Sequence, residues 1–279
     1  MCKFVVYLVI LMLVLGFTTT DVWSEEQRVK ATLVSDFSEQ SIGGGSFELD
    51  ILSWVSEMGP TKIDFTRQHV SLNKAITLLS VIPNACVLNV IKTPEREKIG
   101  IYGTHPLTVY PPIRLITLAK RNIQLPEPFD LYRLSDLHPW VVGIVKSRHY
   151  GRRVDDFIGR HGNILYQRPY SSSIKRFMDM LESGRIDGIL EFTRSVEEYL
   201  QTSKSPDIQL KVTSLIQAND VVFGYLACAK TPQGQKVIAA VDAAYQSKAL
   251  KRRIINIHLN YFGEKEKPLL SPVLERVFE

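Results

Sequence analysis

The chain has 279 residues, a formal charge of +5, 45% apolar and 23% charged residues, the balance of a globular protein with room for one large domain or two small ones. Its basic residues are scattered without a Lys/Arg block, so nucleic acid is not an expected partner. Cys-x-x-Cys, His-x-x-x-His and Gly-x-Gly-x-x-Gly spacings do not occur, so neither a metal nor a cofactor is expected.

At the N-terminus, Lys3 precedes an uninterrupted apolar run from Phe4 to Phe17. That run is too short for a bilayer, which needs about 20 residues. Polar Thr18 to Asp21 and then Val22-Trp23-Ser24 follow, the order of a secretory signal peptide cleaved after Ser24. Residues 1–24 are therefore expected to be a leader, and the protein a periplasmic one. The competing reading is an uncleaved anchor or a buried helix. Cys2 lies before the apolar run and cannot be a lipid acceptor. Two cysteines remain after cleavage, Cys86 and Cys228, and an even number in an oxidising compartment allows one disulfide.

From Val29 onward, short apolar runs alternate with segments of helical period, the pattern of βα units. The expected elements are a strand at Val29–Phe37, a helix at Phe47–Met58, a strand at Lys62–Arg67, a helix at Leu72–Ile82 capped by Ser71, and a buried strand at Ala85–Ile91. In the middle come strands at Ile113–Ala119 and Val141–Val145, a helix at Tyr150–Arg160 and a strand at Ile164–Gln167. The clearest helix is Ser172–Ser183, with Ile174, Phe177, Met178 and Leu181 on one face and Gly184 closing it. A strand at Ile186–Phe192, a helix at Ser195–Gln201, a strand at Val221–Ala229 and a helix at Gly234–Lys248 complete the reading. There is no repeat and no linker, so two α/β lobes are expected without a visible seam.

The segment from Cys86 to Lys98 reads as a strand that delivers a polar turn, with Pro94 at a favoured first helical position and Arg96 in the opening turn. Ligands of open α/β sheets bind at the carboxyl ends of parallel strands, and the planar guanidinium of Arg96 suits a carboxylate. The competing reading is a surface arginine paired with Glu95, Glu97 or another acid.

These residues carry a resemblance. Thr93-Pro94-Glu95-Arg96 is similar to the signature of the family 3 extracellular solute-binding proteins, which deliver amino acids and similar polar solutes to ABC importers. It looks closest to an uncharacterised branch in which a Cys-x-Leu-Asn strand precedes Thr-Pro-Glu-Arg-Glu-Lys. Ser183-Gly184-Arg185-Ile186-Asp187-Gly188 and the run from Cys228 to Ile238 resemble later family segments in the same order, so the likeness spans Val29 to Phe262.

The resemblance implies a two-lobed type II periplasmic-binding-protein fold, with mixed sheets flanked by helices and joined by two crossing strands. Lobe one would be residues 25–110 plus 222–279, and lobe two 111–221. It also implies that Arg96, beside Thr93, grips a solute carboxylate. Lys146, Ser147, Arg148 and Tyr150, in the loop after the second lobe's first strand, would face the ligand. Asp36 and Phe37 at the end of the first strand, and Tyr110, are further cleft candidates. Amino-acid binders of the family place an Asp where Phe192 stands here, with Glu191 beside it; strand alternation lets Glu191 substitute only if the strand bends. Ile91 replaces a usual Thr hydroxyl. In the implied fold the strands bearing Cys86 and Cys228 run antiparallel side by side and would bring the two together; two buried thiols are the alternative.

The expected activity is capture of a small polar, carboxylated solute by hinge closure, in a monomer serving an ABC permease. Two other classes stay open: a sensor that reports to a membrane receptor, and a dehydratase-like enzyme on the same fold. An enzyme would need an acid/base pair, which only Glu191 with His149 or Lys146 could supply. Asp187 reads as a structural ion pair or cap rather than a catalytic acid.

Overall fold

A computed structural model describes residues 28–35, 46–137, 139–146, 148–168, 173–203 and 208–278. Residues 1–24, expected to be a leader, and Asp36, Phe37 and Ser147 lie outside the described residues. Among those described, no helix is long and apolar enough to cross a membrane.

Two sheets organise the chain. The first is built from β1 (Arg28–Ser35), β2 (Lys62–His69), β3 (Ala85–Val90), β4 (Gly100–Tyr102), β5 (Thr108–Tyr110) and β11 (Val222–Ala229). The order is β2-β1-β3-β11-β4, with β5 pairing β11. Between these strands lie the helices α1 (Phe47–Met58), α2 (Leu72–Leu78) and α3 (Pro94–Glu97). The second sheet, in the order β10-β6-β9-β7-β8, contains β6 (Arg114–Leu118), β7 (Val142–Val145), β8 (Leu165–Arg168), β9 (Gly188–Glu191) and β10 (Leu210–Thr213). Its helices are α4 (Arg152–His161), α5 (Ser173–Glu182) and α6 (Thr193–Thr202). After β11 the chain ends in α7 (Pro232–Ala244), α8 (Lys248–Phe262) and α9 (Lys267–Phe278).

The strands that follow one another through helices pair in parallel, β1 with β2 and β3, β7 with β8 and β9, whereas β11 runs antiparallel to β3, β4 and β5. The chain passes from one sheet to the other at Pro111-Pro112-Ile113, because two prolines without N–H groups cannot continue the β5 ladder. It returns between Thr213 and Val222, and β5 pairs with β11 at this place through Val222 opposite Tyr110 and Phe223 opposite Val109.

Most expected elements are present with shifted ends. The first strand is described only as far as Ser35, and α2 stops at Leu78, because the following residues turn back through the bonds Ser80 N–H to Thr77 O and Ala85 N–H to Ile82 O. Ser71 sits at the cap position of α2 without donating or accepting a capping bond. Tyr150 lies outside α4, which starts at Arg152 after Gly151 adopts φ +97°. The expected helix Gly234–Lys248 ends at Ala244, and α8 and α9 beyond it were not expected. Helix α7 closes at Tyr245, and the Ser247 side chain accepts from Leu250 N–H to open α8. Phe177, Met178 and Leu181 of α5 are buried on the second sheet and Gly184 turns the chain at φ +74°, as the spacing predicts.

Cys86 and Cys228 stand directly opposite in the β3–β11 ladder and are joined by a disulfide, with Cα atoms 4.0 Å apart. Both are fully buried.

Candidate functional site

Two elements stand at the carboxyl ends of parallel strands, one in each sheet. From the first sheet, β3 ends at Val90 and the chain enters α3. Thr93 caps this short helix by accepting from Arg96 N–H at 3.3 Å, and Pro94 occupies the first turn, where a missing N–H costs nothing. Arg96 is thereby turned inward and is only 9% exposed, while Glu95 and Glu97 beside it are exposed. Its Nη1 donates to the carbonyl of Ile91 at 3.1 Å. Among the described residues, no carboxylate lies within ion-pair distance of this guanidinium. The reading of Arg96 as a surface residue paired with Glu95 or Glu97 therefore fails: Glu97 pairs with Lys92 at 3.2 Å instead. Burial lowers the Arg96 pKa, against the opposing effects of Tyr102 and of Asp155 in α4. Tyr102, whose buried hydroxyl has no hydrogen-bond partner, is pushed up to about 12 by burial.

From the second sheet, the loop after β7 brings Arg148, His149 and Tyr150. Asp155 shapes it, accepting from Tyr150 N–H at 2.8 Å and contacting His149 Nδ1 at 3.0 Å. Tyr150 is fully buried, and its hydroxyl accepts from Val145 N–H at 2.7 Å. Arg148 Nη1 lies 2.6 Å from Glu191 Oε2, and the guanidinium sits over two rings, 5.3 Å from the Tyr150 centroid and 5.0 Å from that of Phe192. Glu191 is 2% exposed, and its other oxygen accepts from Phe192 N–H at 2.8 Å. Both Glu191 oxygens thus have protein donors. Lys146 is exposed, and its backbone N–H continues the β8 pairing through Arg168 O at 2.6 Å.

Tyr110 links the halves. Its ring lies 4.6 Å from that of Phe192, and its hydroxyl donates to Glu48 at the start of α1. Asn89, held at φ +54°, donates to the Tyr110 hydroxyl at 3.2 Å and accepts from Thr108 Oγ1 at 2.5 Å. Gly224 is what admits this network, since a Cβ there would stand 1.7 Å from Asn89 Oδ1.

The structure brings Arg148, Tyr150, Glu191 and Tyr110 together around Phe192, with Arg96 on α3, which Thr93 caps. Glu191 and His149 do not face each other as an acid/base pair, because each is engaged elsewhere, with Arg148 and with Asp155. Asp187 accepts from Val141 N–H at 2.8 Å and pairs with Arg121 rather than Arg185, a structural role. No described group of three or more His, Cys, Asp or Glu could hold a metal. Sequence reasoning missed Tyr102, Asn89 and Glu48, whose only signal was proximity in the fold.

No known family profile matches the chain, and no curated protein does. Solved structures match over most of its length. A putative L-cystine ABC transporter protein from Listeria monocytogenes is 16% identical with a TM-score of 0.61, covering 86% of this chain and 97% of its own. A Salmonella typhimurium periplasmic binding protein described for high arginine specificity is 15% identical with a TM-score of 0.59, over 85% of this chain and all of its own. An ancestral arginine-binding protein bound to arginine gives 15% and 0.63 over the same coverage. The chain has the two-lobed type II periplasmic-binding-protein fold. At this identity the likeness extends to the fold and not to a ligand.

Proposed function

We propose that this protein is an exported solute-binding protein that captures a small carboxylated solute between its lobes and presents the closed form to an ABC permease. The observation that carries this reading is Arg96: a guanidinium 9% exposed, with one hydrogen bond to a backbone carbonyl and no described carboxylate at ion-pair distance. Burying a cation without an anion is costly, and a solute carboxylate is the group that removes the cost. The structural neighbours named for cystine and arginine support the reading by their kind.

In this proposal the lobes divide at residues 110/111 and 221/222, the leader ends at Ser24, and the protein acts as a monomer. Arg96 grips the carboxylate, with Thr93 holding the turn. Arg148, Lys146 and Tyr150 form the opposing wall and Tyr110 stands at the hinge, and Ser147, Asp36 and Phe37 are further candidate contacts. Glu191 serves Arg148 instead of a solute ammonium. Closure follows from binding one lobe first and the other after hinge rotation.

The test begins with mass spectrometry of solute released from denatured purified protein, followed by calorimetry with that compound. Arg96→Ala is expected to weaken binding by about 2–5 kcal/mol, and Arg96→Lys to restore part of it. Unchanged affinity in Arg96→Ala overturns the reading.

A further inference from the structure

Away from Arg96, one more set of contacts joins elements of the two sheets. Helix α6 follows β9 and packs Val196, Tyr199 and Leu200 on the second sheet's core. Helix α8 buries Leu250, Ile254 and Phe262 in the other core and lies against α1 and α9. Between them, the Tyr261 hydroxyl donates to Glu198 Oε2 at 2.9 Å.

Both partners are held from behind. The Tyr261 ring stacks on Phe47 of α1, with centroids 4.2 Å apart and planes 4° from parallel. On the other side, Arg194 reaches Glu198 at 3.6 Å along α6 and places its guanidinium over the same tyrosine ring, 4.8 Å from the centroid. The Arg194 Nε is buried and has no hydrogen-bond partner, so the ring face adds to the Glu198 pairing in compensating this cation. One tyrosine from the first lobe is therefore gripped at its hydroxyl and at its face by two residues of the second, a turn apart on one helix. A second, looser link lies near the crossing, where Arg114 Nη2 of β6 stands 4.0 Å from Glu266 Oε2 before α9.

We infer that Tyr261, Glu198 and Arg194 form an interlobe latch, which sets how much of the protein occupies this lobe arrangement. These are positioning residues: they act on the lobes and not on the solute. A rigid core transmits such a contact because packed lobes rotate as bodies. The consequence for solute affinity rests on the proposed function, since a protein whose competent arrangement is only partly populated binds more weakly in proportion. The latch itself can be tested without any solute.

Cysteines at Val81, 66% exposed in the first lobe, and Lys175, whose side chain is 66% exposed in the second, would carry spin labels for pulsed distance measurements on the solute-free, disulfide-intact protein. Tyr261→Phe keeps the ring and its stacking and removes one hydrogen bond; Glu198→Gln weakens the same bond from the other side. Each is expected to change the ratio of lobe arrangements by about two- to tenfold, the range for a single hydrogen bond. Both should move the distance distribution the same way, and the double variant should go no further than the stronger single one, because all three act on the Tyr261–Glu198 bond. Distributions that superimpose on the parent's overturn the latch, even if the melting temperature drops, since that outcome assigns the contact to stability alone. Strictly additive effects also overturn it. Either failure leaves the reading of Arg96 standing, because that reading is tested by calorimetry on a different residue.

Discussion

His258 shows how a single buried side chain can tie stability to acidity. It is completely buried in α8, where its Nε2 accepts from Val109 N–H at 2.9 Å and its Nδ1 lies 2.7 Å from Ile254 O. A ring nitrogen that accepts cannot carry a proton, so the hydrogen sits on Nδ1 and the ring is neutral. Burial pushes its pKa down to about 4. Between that value and the ordinary 6.5 the unfolded chain binds the proton and the folded one does not. Stability from this group is therefore present above about pH 6.5 and is lost as the pH falls towards 4, by about 3 kcal/mol in all. Urea titrations at pH 7 and pH 4.5 should show this slope, and His258→Gln should flatten it; an unchanged slope in the variant rejects the assignment. Gly224→Ala offers a second check. Its methyl would collide with Asn89 Oδ1 and with Thr108 Oγ1 2.4 Å away, so a loss of about 1–3 kcal/mol is expected in denaturant unfolding. Arg96 was legible in the sequence because a proline-led turn after a buried strand points it out. That no described carboxylate reaches it was not, nor was the capture of Glu191 by Arg148, 43 residues away in the chain, because pairing across a fold leaves no trace in local spacing.

The longer elements were legible for the reason that α5 illustrates: four apolar residues at helical spacing admit only one buried face. The three-residue strands β4 and β5 were not, because three residues carry no period. Their strand character comes from β11, which pairs with both. The end of α7 was placed too late for a related reason. The apolar stripe runs from Val237 past Tyr245 towards Leu250, so only the cap at Ser247 divides it. Ser247→Ala should therefore cost about 1 kcal/mol of thermal or chemical stability, and a negligible change would show that packing alone fixes the break. The β3–β11 pair was foreseen through the family likeness, and its disulfide is the larger element-scale contribution. It spans 142 residues of sequence, for which chain-entropy estimates approach roughly 5 kcal/mol. Cys86→Ser with Cys228→Ser, compared with the parent by denaturant unfolding under oxidising conditions, should show a loss of several kcal/mol. A loss under about 1 kcal/mol would indicate residual structure in the unfolded chain.

At the scale of the molecule, the disulfide has a mechanical meaning. The bond joins β3, before the chain leaves the first sheet, to β11, after it has come back. A force applied at residues 28 and 278 therefore runs along the chain to Cys86, across the sulfurs, and on from Cys228. All of the second sheet hangs outside that line as a closed side loop. Stretching the oxidised protein should release only the chain outside the Cys86–Cys228 loop, and adding reductant should lengthen the extended form by roughly 500 Å, the reach of 142 residues at about 3.3–3.6 Å each. The second sheet carries no load, so a pull on the ends of this protein would strain the first sheet's outer strands while leaving the second sheet folded.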